Sequence, residues 1–511
     1  MPDKRALMSC WNKEGSDSLA RSLVEMGWEI VSTGGTAEYL RDADIPVTPV
    51  EEVTGFPSLL GGRVKTLHPA LHAGILARRD RHTDMDELEA EAYGTIDLVA
   101  VNLYPFEEVT RDGADMDRAL ENIDIGGVTL LRAAAKNWPS VIVLCDPGDY
   151  ESTVAQLQTG DPPEGTRRRL AARAFGHTAR YDALIADHLA APGELPVESA
   201  IAVKRRSILR YGENPHQRAA LYSWLDGSGF DLGEYEQLGG PDLSFNNFLD
   251  VDAAVGVVAE FPETAVCAVK HTNPCGAALG GTPVEAFART YEGDPVSIYG
   301  GVVALNRPVD EAVVDFIRGA KLFLEVIVAP DYTSEALEKL ARRKKLRVLR
   351  LGAGAWSLRP GSRTGRFLRG GLLLSDSDCE TTLPEDWDVV GSHHPEEAMC
   401  DAHFAWMVCK HTKSNAIVLA KDRALVGVGA GQMNRIASAR LAVEAAGERA
   451  RGAAMASDGF LPFPDVAELA AERGIAVLVQ PGGSIRDDAS AAVAEEAGMS
   501  LIFTGRRHFK H

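Results

Sequence analysis

The strongest constraint on this chain is an alternation in its first half, where short apolar runs of strand length are each followed by a polar loop and a helical stretch. Trp28-Glu-Ile-Val31 reads as a strand, Ser32-Thr-Gly-Gly-Thr36 as a tight loop, and Ala37 to Arg41 as the start of a helix. Ile96 to Val101 and Val141 to Leu144 are further runs of buried-strand length. Leu19, Leu23 and Val24 fall at helical spacing after Ser16 and Asp17, residue types that cap helices. Such repetition predicts a parallel sheet covered by helices, an α/β fold. Arg167 to His188 is helical in pattern, and Ala191-Pro-Gly-Glu-Leu-Pro196 interrupts it. We therefore expect an α/β domain over residues 1–190, a linker over 191–200, and a region over 201–511 large enough to subdivide.

An internal echo supports that subdivision. Lys270-His-Thr-Asn273 follows the apolar run Ala265 to Val269, and Lys410-His-Thr-Lys-Ser-Asn415 follows Phe404 to Cys409. Each precedes a small-residue strand, Tyr299 to Asn306 in one case and Val426 to Gln432 in the other. A long-period echo of this kind points to duplicated subdomains.

Composition narrows the function. Lys plus Arg number 53 against 73 Asp plus Glu, a formal charge of −20, which argues against a broad nucleic-acid or anionic-membrane surface. The 7 cysteines never fall as C-x-x-C, so neither a disulfide framework nor a zinc ribbon is expected, and a reducing, cytoplasmic setting fits. No apolar run is long enough for a signal peptide or a membrane span.

Several segments carry chemistry. The Ser32–Thr36 loop, between strand and helix, can turn backbone N–H groups onto an anion. Gly61-Gly-Arg-Val-Lys-Thr-Leu-His68 places Arg63, Lys65 and Thr66 close together, and Tyr104 follows a buried strand directly. Asp124 stands just before a helix that ends at Lys136, a pair able to handle a proton if both reach one substrate. In the second region Lys270-His271 sits at a strand end before Asn-Pro-Cys-Gly276, which reads as a turn. A histidine held neutral by a neighbouring cation is ready to take a proton, and the lysine can stabilise an oxyanion. Pro274-Cys-Gly lacks the second cysteine and the H-x-E of a zinc deaminase, so no zinc is expected. Leu209 to Gln217 and Ala456 to Phe463 are dense in rings and polar groups, the latter suited to gripping a flat heterocycle. Arg342-Arg-Lys-Lys-Leu-Arg347 is either a solvated face or an electrostatic lure for a polyanionic substrate tail. The ending Arg506-Arg-His-Phe-Lys-His511 has the aromatic content of a tail that docks.

GGRVKTLHP, NLYPF, ENIDIGGVTLLRAAAKN, LRYGENPHQ, KHTNPCG, GAGQMNRI, QPGGSIRD and RHFKH occur in one order along nearly the whole chain, from Ala6 to His511. Together they resemble the bifunctional purine biosynthesis family, which unites phosphoribosylaminoimidazolecarboxamide formyltransferase with IMP cyclohydrolase. The resemblance implies a methylglyoxal-synthase-like parallel α/β domain, then a formyltransferase region of two cytidine-deaminase-like α/β subdomains without catalytic zinc. It implies a homodimer with transferase sites at the subunit interface, nucleotide and folate substrates, and 10-formyltetrahydrofolate as cosubstrate. Potassium ion is a candidate accessory ion. By resemblance, Lys270, His271 and Asn415 serve formyl transfer, while Arg210, Tyr211, Arg507 and His511 contact nucleotide, and Phe460 and Asp465 lie near the folate. Likewise Lys13, Ser32, Thr33, Gly34, Gly35, Thr36, Arg63 and Thr66 bind the cyclohydrolase substrate, and Lys65, Tyr104, Asp124 and Lys136 surround its reacting atoms. The family's S-V-S-D-K-T-G is here Ser9-Cys-Trp-Asn-Lys-Glu-Gly15, and the stretch from Arg350 to His393 diverges and lends no site residue. Two other readings follow from these features: a formyltransferase with a degenerate cyclohydrolase half, and a nucleotide-binding module without activity.

Overall fold

The structure is a computed structural model; it describes residues 4–111, 115–190, 194–224, 235–356, 362–380, 384–391 and 396–511. Ala191 to Gly193 of the expected linker, and part of the divergent 350–393 stretch, lie outside the described residues. The chain divides into two compact units, Met1–Val203 and Lys204–His511.

In the first unit β1 (Arg5–Cys10), β2 (Glu29–Ser32), β3 (Thr48–Pro49), β4 (Leu98–Asn102) and β5 (Ile142–Leu144) form one sheet. Their order is β3-β2-β1-β4-β5 and every pairing is parallel. Helices α1 (Ser16–Glu25), α2 (Gly34–Asp42), α3 (Gly126–Lys136) and α4 (Glu164–Leu189) are among those of this unit. The strand order reverses between β1 and β4, so the loops after Cys10 and Asn102 open a crevice at the carboxyl edge, where α/β folds bind ligands. Ser16 does not cap α1. The residue before the helix is Gly15, left-handed at φ 67°, and Ser16 Oγ donates back to the Lys13 carbonyl at 2.7 Å.

The second unit repeats one motif. Its first half runs β6 (Glu236–Gly239), α5 (Phe245–Val258), β7 (Thr264–Lys270), β8 (Asn273–Gly280), α6 (Pro283–Gly293), β9 (Val302–Leu305), α7 (Glu311–Gly319), β10 (Val326–Ala329), α8 (Ser334–Leu340) and β11 (Arg347–Arg350). The second half runs β12 (Asp388–Gly391), α9 (Glu396–Lys410), β13 (Ile417–Lys421), β14 (Ala424–Gly429), α10 (Arg435–Ala446), β15 (Ala454–Ser457), α11 (Asp465–Glu472), β16 (Val477–Gln480), α12 (Asp487–Ala497) and β17 (Ser500–Phe503). All twelve strands join one sheet, β12-β17-β16-β15-β13-β14-β8-β7-β9-β10-β11-β6, which reads alike from either end. The halves meet where β8 and β14 pair antiparallel at Ala278 and Ala424.

Packing follows the same symmetry. One apolar cluster joins α5 and α9 over one face of the sheet, with Phe404, Trp406 and Val255 buried; two further clusters lie under the remaining helices of each half. The small residues of β8 and β14 are demanded by that packing. A Cβ on Gly276 would meet the Thr290 carbonyl at 2.3 Å, and one on Gly429 the Ser438 carbonyl at 1.9 Å, so α6 and α10 rest on bare backbone.

The duplication is thus real, but not in the register of the tripeptide echo. Lys270 ends a strand, whereas Phe404 to Lys410 belongs to the helix α9. The structural counterpart of Lys270 is Lys421, at the end of β13. Nor does Asn273-Pro-Cys-Gly276 form a turn. It begins β8, and the turn is His271-Thr272, both left-handed at φ 52° and 61°.

Candidate active sites

At the carboxyl edge of the first sheet, Thr33 is the residue preceding α2, and Gly34 is left-handed at φ 52°. The first N–H groups of a nine-residue helix lack intrahelical partners and face outward here. The Thr33 hydroxyl is buried and unpartnered. Ser32 and Thr36 are already engaged: Ser32 Oγ donates to the Met8 carbonyl at 2.7 Å, and Thr36 Oγ1 to the Cys10 carbonyl at 2.9 Å. The loop therefore presents the Thr33 hydroxyl and the amides of Gly34, Gly35 and Thr36. The ammonium of Lys65 lies 3.3 Å from where a Cβ on Gly34 would stand, and 3.7 Å from Glu51. Arg63 instead pairs with Glu121 and remains exposed.

The same edge gathers Thr66, Tyr104 and Asp124. Thr66 Oγ1 packs against Gly126, where a Cβ would come within 2.5 Å. Asp124 Oδ1 accepts the Gly127 N–H at 2.7 Å, and Asp124 N–H donates to the Tyr181 hydroxyl at 2.9 Å. Burial raises the Asp124 carboxyl above the usual range. Burial, and then the Asp124 charge, raise the Tyr104 phenol, which keeps it a hydrogen-bond donor at neutral pH. The Tyr104 ring meets Trp11 edge to face, with centroids 5.2 Å apart. Asn12 and Asn102 exchange hydrogen bonds at 2.8 and 2.9 Å, so the altered Ser9–Gly15 segment is clamped to the end of β4. Lys13 turns its ammonium back onto the Cys10 carbonyl, and burial lowers its pKa.

Lys136 is not brought to this site. Gly126 opens α3 beside Thr66, and Lys136 closes it ten residues on, about 15 Å along the axis at 1.5 Å per residue. It is exposed near the opposite edge of the sheet, ahead of β5. Asp124 and Lys136 therefore do not act on one proton within this unit.

In the second unit the β7–β8 hairpin presents Lys270 and His271. Lys270 Nζ donates to the Tyr299 carbonyl at 3.1 Å and His271 is largely exposed. Asp250 on α5 accepts the Thr272 N–H at 2.7 Å, and burial raises its carboxyl above the usual range. Asn273 accepts the Lys413 N–H at 3.1 Å, which ties the hairpin to the loop after α9. That loop holds the chain end: Lys413 Nζ donates to the His511 carbonyl at 2.7 Å, and Ser414 N–H to the Lys510 carbonyl at 2.9 Å. The C-terminal tail thus docks. Burial, then Lys510 and Arg366, lower the Lys413 pKa.

Asn415 Nδ2 donates to the Gln432 carbonyl at 2.8 Å, a bond that aims its side chain. Arg507 stacks over Phe509 at 4.7 Å. Arg210 lies over Tyr211 at 5.6 Å, in a loop joined to the start of α5 by Asn246 Nδ2 donating to the Glu213 carbonyl. Phe460 is exposed on the loop after β15, and Asp465 opens α11, where it accepts the Val466 N–H at 2.9 Å. Asp458, two residues before Phe460, is buried and paired with Arg435. Sequence reasoning missed Asp250 and Lys413: a single carboxylate inside a helix, and a lysine whose use is set by a tail 98 residues on, leave no local signal.

A parallel α/β unit with an open helix N-terminus at its carboxyl edge, followed by a duplicated α/β unit with a Lys-His hairpin, is the architecture of a two-part α/β protein with a candidate site in each part. Residues 134–445 match the family model described as the AICARFT/IMPCHase bienzyme, and residues 16–129 match the MGS-like domain. The chain is 48% identical over 513 residues to the bifunctional purine biosynthesis protein PurH of Anoxybacillus flavithermus, covering 99% of this chain and 100% of that one. It is 47% identical over 517 residues to the protein of that name from Thermoanaerobacter sp., and 45% over 513 residues to that of Bacillus cereus, with the same coverage. The chain belongs to the AICARFT/IMPCHase bienzyme family.

Proposed function

We propose that each unit carries one of the two family activities, cyclohydrolase in the first and formyltransferase in the second. The chain catalyses the last two steps of purine biosynthesis, formylation of aminoimidazole carboxamide ribonucleotide and closure of the product to IMP. The observation that carries the assignment is that each unit has its own constellation, Lys65 over Gly34 in one and the Lys270-His271 hairpin in the other.

For ring closure, the 5′-phosphate would sit on the α2 amides and Thr33, with Lys65 neutralising it or the developing oxyanion. Tyr104 would donate to the formyl oxygen, and Asp124 would take the proton that the carboxamide nitrogen loses as it attacks the formyl carbon; the hydroxyl so formed would then leave as water, taking the proton from Asp124, to give IMP. Holding the reactive conformer supplies much of the rate, because nucleophile and electrophile share one molecule.

For formyl transfer, the cosubstrate is of folate type, and we take it to be 10-formyltetrahydrofolate. The amine of the substrate is deactivated by conjugation with its carboxamide. His271 would remove its proton as it attacks, and Lys270 would stabilise the tetrahedral oxyanion before the folate nitrogen leaves with a proton. Asn415 would orient the transferring group, Arg210, Tyr211, Arg507 and His511 would hold the nucleotide, and Phe460 and Asp465 would flank the pteridine. A homodimer with transferase sites at its interface and a cytoplasmic location complete the reading; no described helix is long and apolar enough to cross a membrane.

The test is to follow tetrahydrofolate and IMP separately, in the presence of potassium, for the unaltered chain and two variants. Lys65→Ala should accumulate formylated intermediate, with cyclisation down about a hundredfold. Lys270→Ala should stop tetrahydrofolate release yet still cyclise added intermediate. Loss of both activities in either folded variant would sink the assignment of one site to each unit.

A further inference from the structure

Two aromatic rings stand at the carboxyl edge of the first sheet, where the anion-binding loop also lies. Trp11 and Tyr104 meet edge to face, with centroids 5.2 Å apart and planes at 88°, and they are 52% and 43% exposed. The pair makes a right-angled aromatic corner open to solvent. A single exposed apolar ring needs no explanation. This one, however, is mounted on both sides. Cys10, the residue before it, exchanges hydrogen bonds with Thr36 in the first turn of α2: Cys10 N–H donates to Thr36 Oγ1, and Oγ1 donates to the Cys10 carbonyl, both at 2.9 Å. Asn12, the residue after it, exchanges hydrogen bonds with Asn102, and Trp11 N–H reaches the Asn102 carbonyl at 3.4 Å. One flank of Trp11 is thus tied to the helix end that offers its amides to an anion, and the other to the strand end two residues before Tyr104.

That mounting gives the ring its use. A ribonucleotide held by its phosphate on α2 carries its flat heterocycle away from the helix end towards Tyr104, and Trp11 stands on that path. The family pattern has serine at this position, so the shared chemistry gives an indole no part. We infer that Trp11 is a substrate-binding residue of the first unit: its exposed ring receives the flat imidazole of the nucleotide, while its edge-to-face contact holds the Tyr104 ring in place. The inference deepens the cyclohydrolase reading above and rests on it. Stacking on an aromatic side chain tolerates different heterocycles, because each has a π face, so the open imidazole substrate and the closed purine product are both held. Contact made equally with both ends of the reaction acts on KM rather than on kcat.

The experiment supplies formylated aminoimidazole carboxamide ribonucleotide to the full chain and to its variants Trp11→Ala and Trp11→Phe, and follows IMP. Removing the ring should raise KM about tenfold, the ordinary weight of one stacked base, and change kcat less than about threefold. Phenylalanine, which restores a π face of smaller area, should bring KM back to within about threefold of the unaltered chain. The second readout is optical. Trp11 is one of 7 tryptophans, so saturating IMP should quench the fluorescence of the unaltered chain more than that of Trp11→Phe. An unchanged KM in Trp11→Ala would overturn the inference, as would equal quenching in the two proteins. A lower KM in Trp11→Ala would overturn it by making the indole an obstruction, and a fall in kcat alone by leaving it a prop for Tyr104. If the unaltered chain does not cyclise the intermediate, the cyclohydrolase reading fails, and the difference in quenching by IMP still decides whether the ring meets a nucleotide.

Discussion

The two hairpins at the centre of the second unit are built alike and differ in what they expose. Lys270 ends β7 and bonds the Tyr299 carbonyl, three residues before β9; Lys421 ends β13 and bonds the Arg451 carbonyl, three residues before β15. Asp250 on α5 accepts one amide of the first turn, and Asp401 on α9 accepts two of the second, at 2.8 and 2.6 Å. Both turns are left-handed at two successive residues, His271-Thr272 in one and Asp422-Arg423 in the other. The lysine, the aspartate and the turn are thus parts of the repeat, and any lysine here finds the same carbonyl. What the first hairpin alone offers is an imidazole beside the lysine, and Asn273 tied to the loop that holds the chain end. On the reading proposed above, chemistry has been added to one copy of a shared frame.

That contrast fails most visibly if the two lysines behave alike. Lys270→Ala should lower kcat for formyl transfer by about 10²–10³-fold, whereas Lys421→Ala should change it less than about twofold, measured as tetrahydrofolate release. His271→Ala should cost about 10²-fold, the value of a positioned base, read as tetrahydrofolate release. A loss below about twofold would mean that the base lies elsewhere. The aspartates sharpen the comparison differently. Asp250→Ala and Asp401→Ala should each lose about 1.5–3 kcal/mol in urea unfolding, because hydrogen bonds from backbone N–H groups to a charged carboxylate are lost. Only Asp250→Ala should also slow formyl transfer. Equal loss of transfer in both would make the turn bond a matter of folding alone.

Much of this frame was legible in residues, and the failures have physical causes. The glycine pair after β2 and the Lys-His dipeptide read correctly as features at strand ends, since backbone curvature and polar tips both need particular residue types. β1 went unread although it is the centre of the first sheet, because Arg5 to Cys10 draws its apolar character from alanine, leucine and methionine, which do not distinguish strand from helix. The repeat was sensed but set in the wrong register. Identical Lys-His-Thr triplets occupy a strand end in one half and a helix end in the other, while the true counterparts share little besides a lysine and an aspartate. Lys136 was grouped with Asp124 by sequence distance, which a helix converts into separation across the unit.

At neutral pH the smallest effect is expected where the two halves touch through equivalent positions. Glu260 follows α5 as His411 follows α9, 151 residues on, and His411 Nε2 lies 2.7 Å from Glu260 with Lys410 Nζ at 2.9 Å from the same oxygen. All three are buried. Burial pushes His411 down to about 4, against the hydrogen bond that its ring donates to Glu260. Burial alone would raise Glu260, yet the His411 hydrogen bond and the neighbouring Lys410 charge hold it below the usual range. The unfolded chain therefore binds more protons than the folded one between about pH 6.5 and 4, so stability rises with pH across that window. It is complete above pH 6.5 and is lost as His411 and then Glu260 are protonated. Urea unfolding of the full chain at stepped pH should show this slope, and His411→Gln, which keeps a donor for Glu260 but cannot titrate, should flatten its upper part. Parallel profiles for the two proteins would place the acid sensitivity outside the seam between the halves.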